Sequence, residues 1–174
     1  LPGTRAERTG DERFEPFFQQ YSREIFGYSW RLTGEEQAAN DLCQETFIRA
    51  WQNFARVSAY EQPRSWLFRV ATNLAINHQR HRGHLSDIEQ RLRVPGAGAG
   101  DDPAAGLAER DAVRDALLHL PIRQRTALVL RAVYSLPFDE IAGILGVSVA
   151  AAKMTLSRGR TQFRTYYLRE DSRP

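Results

Sequence analysis

The side chains whose types and spacing could do chemistry here are cations and amides. Arg69, Asn73, Asn77 and Arg80 recur at steps of four, four and three, which lines them up on one face of a helix. No acid interrupts residues 62–86, and Trp66 and Phe68 stand beside the row. Amides bond base edges, arginines hold phosphates and rings stack on unpaired bases, so this set suits nucleic acid. A second set lies near the C-terminal end. Ala150, Lys153, Met154, Ser157, Arg158 and Thr161 share the outer side of a helix that starts after Ser148, and Arg160 and Arg164 flank them. Residues 142–168 contain no acid at all.

Other chemistries find less support. His78, His81 and His84 are spaced by three, but arginines rather than carboxylates or thiols surround them. They read as polar helix-end residues near a phosphate backbone, and no metal site is expected. The single cysteine, Cys43, excludes an internal disulfide and disfavours a thiolate zinc site. There is no glycine-rich phosphate loop and no nucleophile–base set, so neither an enzyme nor a cofactor is expected. The net charge of +3 is modest, yet 24 Lys and Arg leave room for local basic patches. All of these except Lys153 are arginine, whose planar fork suits phosphates and base edges.

The C-terminal set needs a helix-turn-helix to position it. Pro137 fits a first helical turn, and Phe138, Ile141, Ala142 and Leu145 make one apolar face. Gly146 suits the corner, and Ser148 can cap the next helix. Ala152, Leu156, Gly159 and Phe163 should then pack inward, leaving the basic side for a major groove. An ordinary αα-hairpin with a solvated basic face is the plain alternative. The glycine corner, serine cap and acid-free second helix together favour DNA.

The rest of the chain reads as helices. Residues 1–11 form a polar, flexible lead-in without an initiating methionine, so the natural start is expected upstream. From Glu12, Phe14, Phe17, Phe18, Tyr21, Ile25, Tyr28 and Leu32 make an aromatic stripe that should be core, ending at Thr33-Gly34. A second helix over about 35–54 buries Ala39, Leu42, Cys43, Phe47, Ala50, Trp51 and Phe54. Its other face gathers Asp41, Gln44, Glu45, Ile48 and Arg49, where an exposed isoleucine amid polar groups hints at a protein partner. Residues 55–62 read as a loop closed by Pro63, after which Leu67, Val70, Ala71 and Leu74 turn inward. Residues 85–106, rich in Gly, Ala and Pro, read as a flexible linker. Leu107, Val113, Leu117 and Leu120 begin a further helix, and Pro121 opens the next, with Ala127, Leu128, Leu130 and Val133. The expectation is an all-α protein of two small helical domains, 12–84 and 107–170, on a flexible linker, the second ending in the helix-turn-helix. No apolar run reaches membrane-spanning length and no signal-peptide core is evident, so a cytoplasmic protein without membrane insertion is expected.

Three blocks carry a resemblance. DLCQETFIRAW (41–51), PRSWLFRVATNLAINHQR (63–80) and LPIRQRTALVLRAVYSLPFDEIAGILGVSVAAAKMTLSRGR (120–160) are similar to bacterial sigma factors of the extracytoplasmic-function group. The resemblance implies a protein without chemistry of its own that binds core RNA polymerase, through its β′ and β subunits, and promoter DNA. It also implies an anti-sigma factor as a partner, since many relatives are held inactive by one. By resemblance, Asp41, Gln44, Glu45, Ile48 and Arg49 dock the polymerase clamp. Trp66, Phe68, Arg69, Asn73, Asn77 and Arg80 serve the melted minus-ten element, and the linker threads toward the RNA exit path. Ser148, Ala150, Lys153, Met154, Ser157, Arg158, Arg160 and Arg164 serve the minus-thirty-five element. Asn77 stands where many members carry an acid, and Met154-Thr155 replaces a small-polar and basic pair. A helix-turn-helix regulator that replaces no polymerase subunit is the other reading, and it leaves the first domain unexplained.

Overall fold

A computed structural model describes residues 5–89 and 105–170. Most of the linker expected at 85–106, and residues 1–4 of the lead-in, lie outside the described residues. Helix α1 (Arg5–Thr33) starts earlier than the apolar stripe suggested and carries Pro16 within it. It ends at Gly34, whose N–H bonds the Trp30 carbonyl at 2.8 Å and whose φ of +73° is left-handed. Helix α2 (Glu36–Gln52) follows, then a short α3 (Phe54–Val57) inside the stretch expected to be a loop. That turn forms because the Asn53 carbonyl accepts from the Arg56 and Val57 amides while Val57 is fully buried. Helix α4 (Pro63–Glu89) completes the N-terminal unit.

The C-terminal unit comprises α5 (Ala105–Leu118), α6 (Ile122–Ala132), α7 (Phe138–Leu145) and α8 (Val149–Glu170). Pro121 and Pro137 sit just outside α6 and α7 as N-cap residues, their missing amides costing no helical bond. Gly146 is left-handed at φ 65°, and the Ala151 amide donates to Ser148 Oγ at 3.2 Å, so the expected corner and cap are both present. The axes of α7 and α8 meet at 92°, the geometry of a helix-turn-helix. No single described helix is long and apolar enough to cross a membrane.

One continuous core runs through both units. Ile25, Tyr28 and Leu32 of α1 and Leu67, Phe68 and Ala71 of α4 join Leu120, Leu130, Ile141 and Leu156 in a single buried cluster. Burying each large apolar side chain contributes about 1.5–3 kcal/mol, so the seam is a substantial part of the fold. Four inward expectations fail, among them Phe18, which is 38% exposed at the rim of α1. Trp51 is 41% exposed, because Ala50 takes the inward position and leaves the indole edge-on to Phe14 at 5.0 Å. Val113 and Val133 lie at the surface, where α5 and α6 turn other residues, Ala116 and Leu130, to the core.

The α1–α2 corner shows how tightly the units meet. A Cβ on Gly34 would lie 2.4 Å from Leu118 Cδ1 of α5. Gly146 has the same left-handed backbone but nothing within 4 Å. Gly34→Ala should therefore cost roughly 2–4 kcal/mol, combining backbone strain and overpacking. Gly146→Ala should cost only about 1–2 kcal/mol. Urea unfolding midpoints at unchanged m-value check the difference.

Candidate nucleic-acid interface

The recognition face of α8 is built by what α8 buries. Ala152 and Leu156 are 0% and 2% exposed, and Gly159 lets the helix close on α6, where a Cβ would stand 3.1 Å from the Gln124 carbonyl. With that side fixed, Ser148, Ala150, Lys153, Met154, Ser157, Arg158, Arg160 and Arg164 all lie at the surface. The Lys153 ammonium sits 5.4 Å from the Phe138 ring centroid, and Arg131 lies 5.3 Å from the same ring. Phe138 thus gathers two cations at the edge of the face, a contact worth about 0.5–1 kcal/mol each when exposed. Arg123 donates to the Leu145 carbonyl at 3.1 Å and closes the C-terminal end of α7.

On α4, Arg69, Asn73, Asn77 and Arg80 form the expected exposed row, and Trp66 is half-buried beside it. Phe68 departs from expectation. It is fully buried between Tyr28 and Tyr134, with ring centroids at 4.8 and 4.9 Å, and cannot reach a base while the units are packed. The physical reason is that α4 has two covered faces, one against α1 and α2 and one against the C-terminal unit. Thr72, buried against Tyr28 of α1, donates to the Phe68 carbonyl at 2.7 Å, so the Tyr28 hydroxyl is the donor in its 2.6 Å contact with Thr72. Burial pushes the Tyr134 phenol up to about 12, and its hydroxyl donates to the Glu24 carbonyl.

The polar face of α2 holds Asp41, Gln44, Glu45, Ile48 and Arg49 at or near the surface, with Glu45 and Arg49 paired at 2.8 Å. Ile48 is 50% exposed and borders a shallow cleft of about 400 Å³ with Phe14, Phe18, Phe47 and Trp51. Phe18 and Trp51 read as core in the sequence, since an aromatic at core spacing gives no sign that it stands at the rim. Burial likewise pushes the Cys43 thiol up to about 11, so it stays protonated and unreactive. Among the described residues no group of three or more His, Cys, Asp or Glu could hold a metal.

Comparison with known proteins follows this geometry. Residues 17–84 match the family model for sigma-70 region 2, and residues 110–163 match that for sigma-70, region 4. The ECF RNA polymerase sigma factor SigG of Mycobacterium tuberculosis is 34% identical, over 91% of this chain and 49% of its own. SigE of Mycolicibacterium smegmatis is 32% identical, over 95% and 67%. The chain belongs to the extracytoplasmic-function group of RNA polymerase sigma factors. It spans about half the length of SigG, but 90% of SigW of Bacillus subtilis, at 29% identity. The fold of this sigma factor is shared by RpoE of Bartonella quintana, solved with the anti-sigma factor NepR, at a TM-score of 0.72 and 20% identity over 89% of this chain and 96% of that one.

The face of α8 generates a prediction about which cations read bases. Arg158 is exposed near the middle of the acid-free face, whereas Arg164 lies two turns nearer the helix end. Arg158→Ala should lose about 1–3 kcal/mol of discrimination at one or two base pairs. Arg164→Ala should instead weaken all duplexes alike and reduce the salt slope by about one phosphate. Binding of the full chain to duplexes differing at single base pairs, at several salt concentrations, separates the two. A uniform loss for Arg158→Ala would make it a backbone anchor.

Proposed function

We propose that this sigma factor binds core RNA polymerase in the cytoplasm, directs it to promoters and helps open the DNA. The observation that carries this reading is the presence, on one chain, of two exposed acid-free faces: the α4 row and the outer side of α8. The recognition helix takes duplex DNA at the minus-thirty-five element through Lys153, Met154, Ser157 and Arg158, with Arg160 and Arg164 on phosphates. The α4 row takes the minus-ten element as it melts. Unstacking costs about 1.4 kcal/mol per base-pair step. One base stacked on a ring such as Trp66 offsets about 1–3 kcal/mol, so the cations and amides of Arg69, Asn73, Asn77 and Arg80 are needed to hold the remaining strand.

Docking to the polymerase falls to α2. The cleft bounded by Phe18, Ile48 and Trp51 is apolar, and Asp41, Gln44, Glu45 and Arg49 rim it, the pattern of an apolar centre with a polar border. The β′ clamp is its partner in this reading, with the β subunit meeting the C-terminal unit. An anti-sigma factor is the further partner, as NepR is for RpoE. No reaction is assigned: the chain positions a catalytic machine and performs no chemistry.

Run-off transcription with purified core polymerase, with and without this chain, tests the function. Promoter-specific transcripts that depend on the chain support it; specific duplex binding without transcripts would favour a regulator that replaces no polymerase subunit. Ile48→Asp and Trp51→Ala should each weaken binding to core by tenfold or more, on the scale of about 2 kcal/mol for an interface centre. Ile48→Asp should move the unfolding free energy by less than about 0.5 kcal/mol, whereas Trp51→Ala also gives up its edge contact with Phe14 and should cost about 1–2 kcal/mol. Unchanged co-purification with core would place docking elsewhere.

A further inference from the structure

The two units touch where polar donors of one face a carboxylate of the other. Glu140, on α7, accepts a hydrogen bond from Ser65 at the start of α4. The Gln62 amide, turned so that both its atoms are satisfied, donates to the two Glu140 oxygens at 3.1 and 3.3 Å. Arg64 stands next to them, its guanidinium bonded to Glu24 at 3.0 Å. That pairing is the main cause of the raised Arg64 pKa, and the Glu140 charge adds to it. Asp139, the neighbouring acid on α7, is exposed and makes no such contact. A hydroxyl, an amide N–H and a nearby guanidinium around one anion are the donors that nucleic-acid backbones recruit. They open the acid-free stretch of α4.

We propose that Gln62, Arg64 and Ser65 form a backbone-phosphate site that Glu140 fills when the units are packed, so that the DNA strand and the first helix of the helix-turn-helix compete for it. The inference rests on the promoter-opening reading and names the regulation of that same surface. Geometry supplies the motive. Elements at minus ten and minus thirty-five lie roughly 85 Å apart at 3.4 Å per base pair. A packed chain of this size has a radius of gyration of only about 15 Å. One packed molecule therefore cannot span both elements, and the units must part along this seam. A strand that offers a phosphate where Glu140 sits assists the parting. Conversely, the packed form lowers the apparent affinity for a strand by the fraction of molecules that are open.

The test uses the full chain and a fluorescein-labelled single strand of about 20 nucleotides of mixed sequence, read by anisotropy at fixed salt. Glu140→Gln should tighten binding about tenfold, the equivalent of one hydrogen bond to a charged group. Asp139→Asn makes the same change in net charge and should tighten it by less than about twofold. Ser65→Ala also breaks the contact but removes a phosphate donor, so its gain should fall short of that of Glu140→Gln. No gain for Glu140→Gln, equal gains for the two acid variants, or a Ser65→Ala gain matching Glu140→Gln would each overturn the proposal. Run-off transcription by the same preparations keeps the readings apart. Transcription with no Glu140 effect sinks the phosphate site alone, whereas a Glu140 effect without transcription sinks the sigma-factor function and leaves the site standing.

Discussion

A single buried guanidinium joins the two halves of this molecule. Arg125, 4% exposed, donates from Nε to the Leu117 carbonyl at 2.8 Å and from Nη2 to the Leu118 and Leu120 carbonyls at 2.6 and 3.0 Å. Its Nη1 crosses the seam to the Leu32 carbonyl near the end of α1. Among the described residues no carboxylate pairs with it. The compensating charge is that of two helix C-termini, α1 and α5, whose last carbonyls lack intrahelical partners and carry the negative ends of their dipoles. Burial lowers the guanidinium pKa to about 10, still far enough above neutrality for it to remain charged. The interaction thus satisfies the Leu32, Leu118 and Leu120 carbonyls, while Leu117 also accepts from the Leu120 amide at 3.1 Å.

The division of those bonds matters for function. Three of the four stay within the C-terminal unit and survive any separation. Only the bond to Leu32 crosses, worth about 1.5–3 kcal/mol as a hydrogen bond to a charged group. The rest of the seam includes Tyr134 packed on Tyr28 and Phe68 and bonded to the Glu24 carbonyl, the Arg64 guanidinium 5.9 Å from the Tyr134 centroid, the Glu140 contacts and the apolar core the units share. Polar bonds, rings and buried apolar side chains together hold the two units packed.

The parts of this structure legible in the sequence are the local ones. Pro137, Gly146 and Ser148 announce the helix-turn-helix because cap and corner chemistry acts within four residues. The exposed rows on α4 and α8 follow from helical period and the absence of acids. The contacts that pack the units together gave no such signal. Ser65–Glu140 spans 75 residues and Arg125–Leu32 spans 93, and nothing local marks a buried arginine or a paired glutamate. Phe68 reads as a stacking ring from its neighbours, yet it is covered by Tyr134, contributed by the other unit. Trp51 reads as core from its spacing, yet it stands at the rim because Ala50 takes the inward position.

The central claim is that this sigma factor is packed shut when free and parts along the α4 seam when it engages polymerase. Single-molecule energy transfer between dyes on Gln20→Cys of α1 and Gln162→Cys of α8, both exposed positions outside the α2 cleft, tests it most directly. Cys43 is buried and its thiol protonated, so it does not compete for the dyes. The account predicts one high-transfer population for the free protein, replaced by a low-transfer population when core polymerase is added. The same high transfer in both states, or low transfer in the free protein, would contradict it.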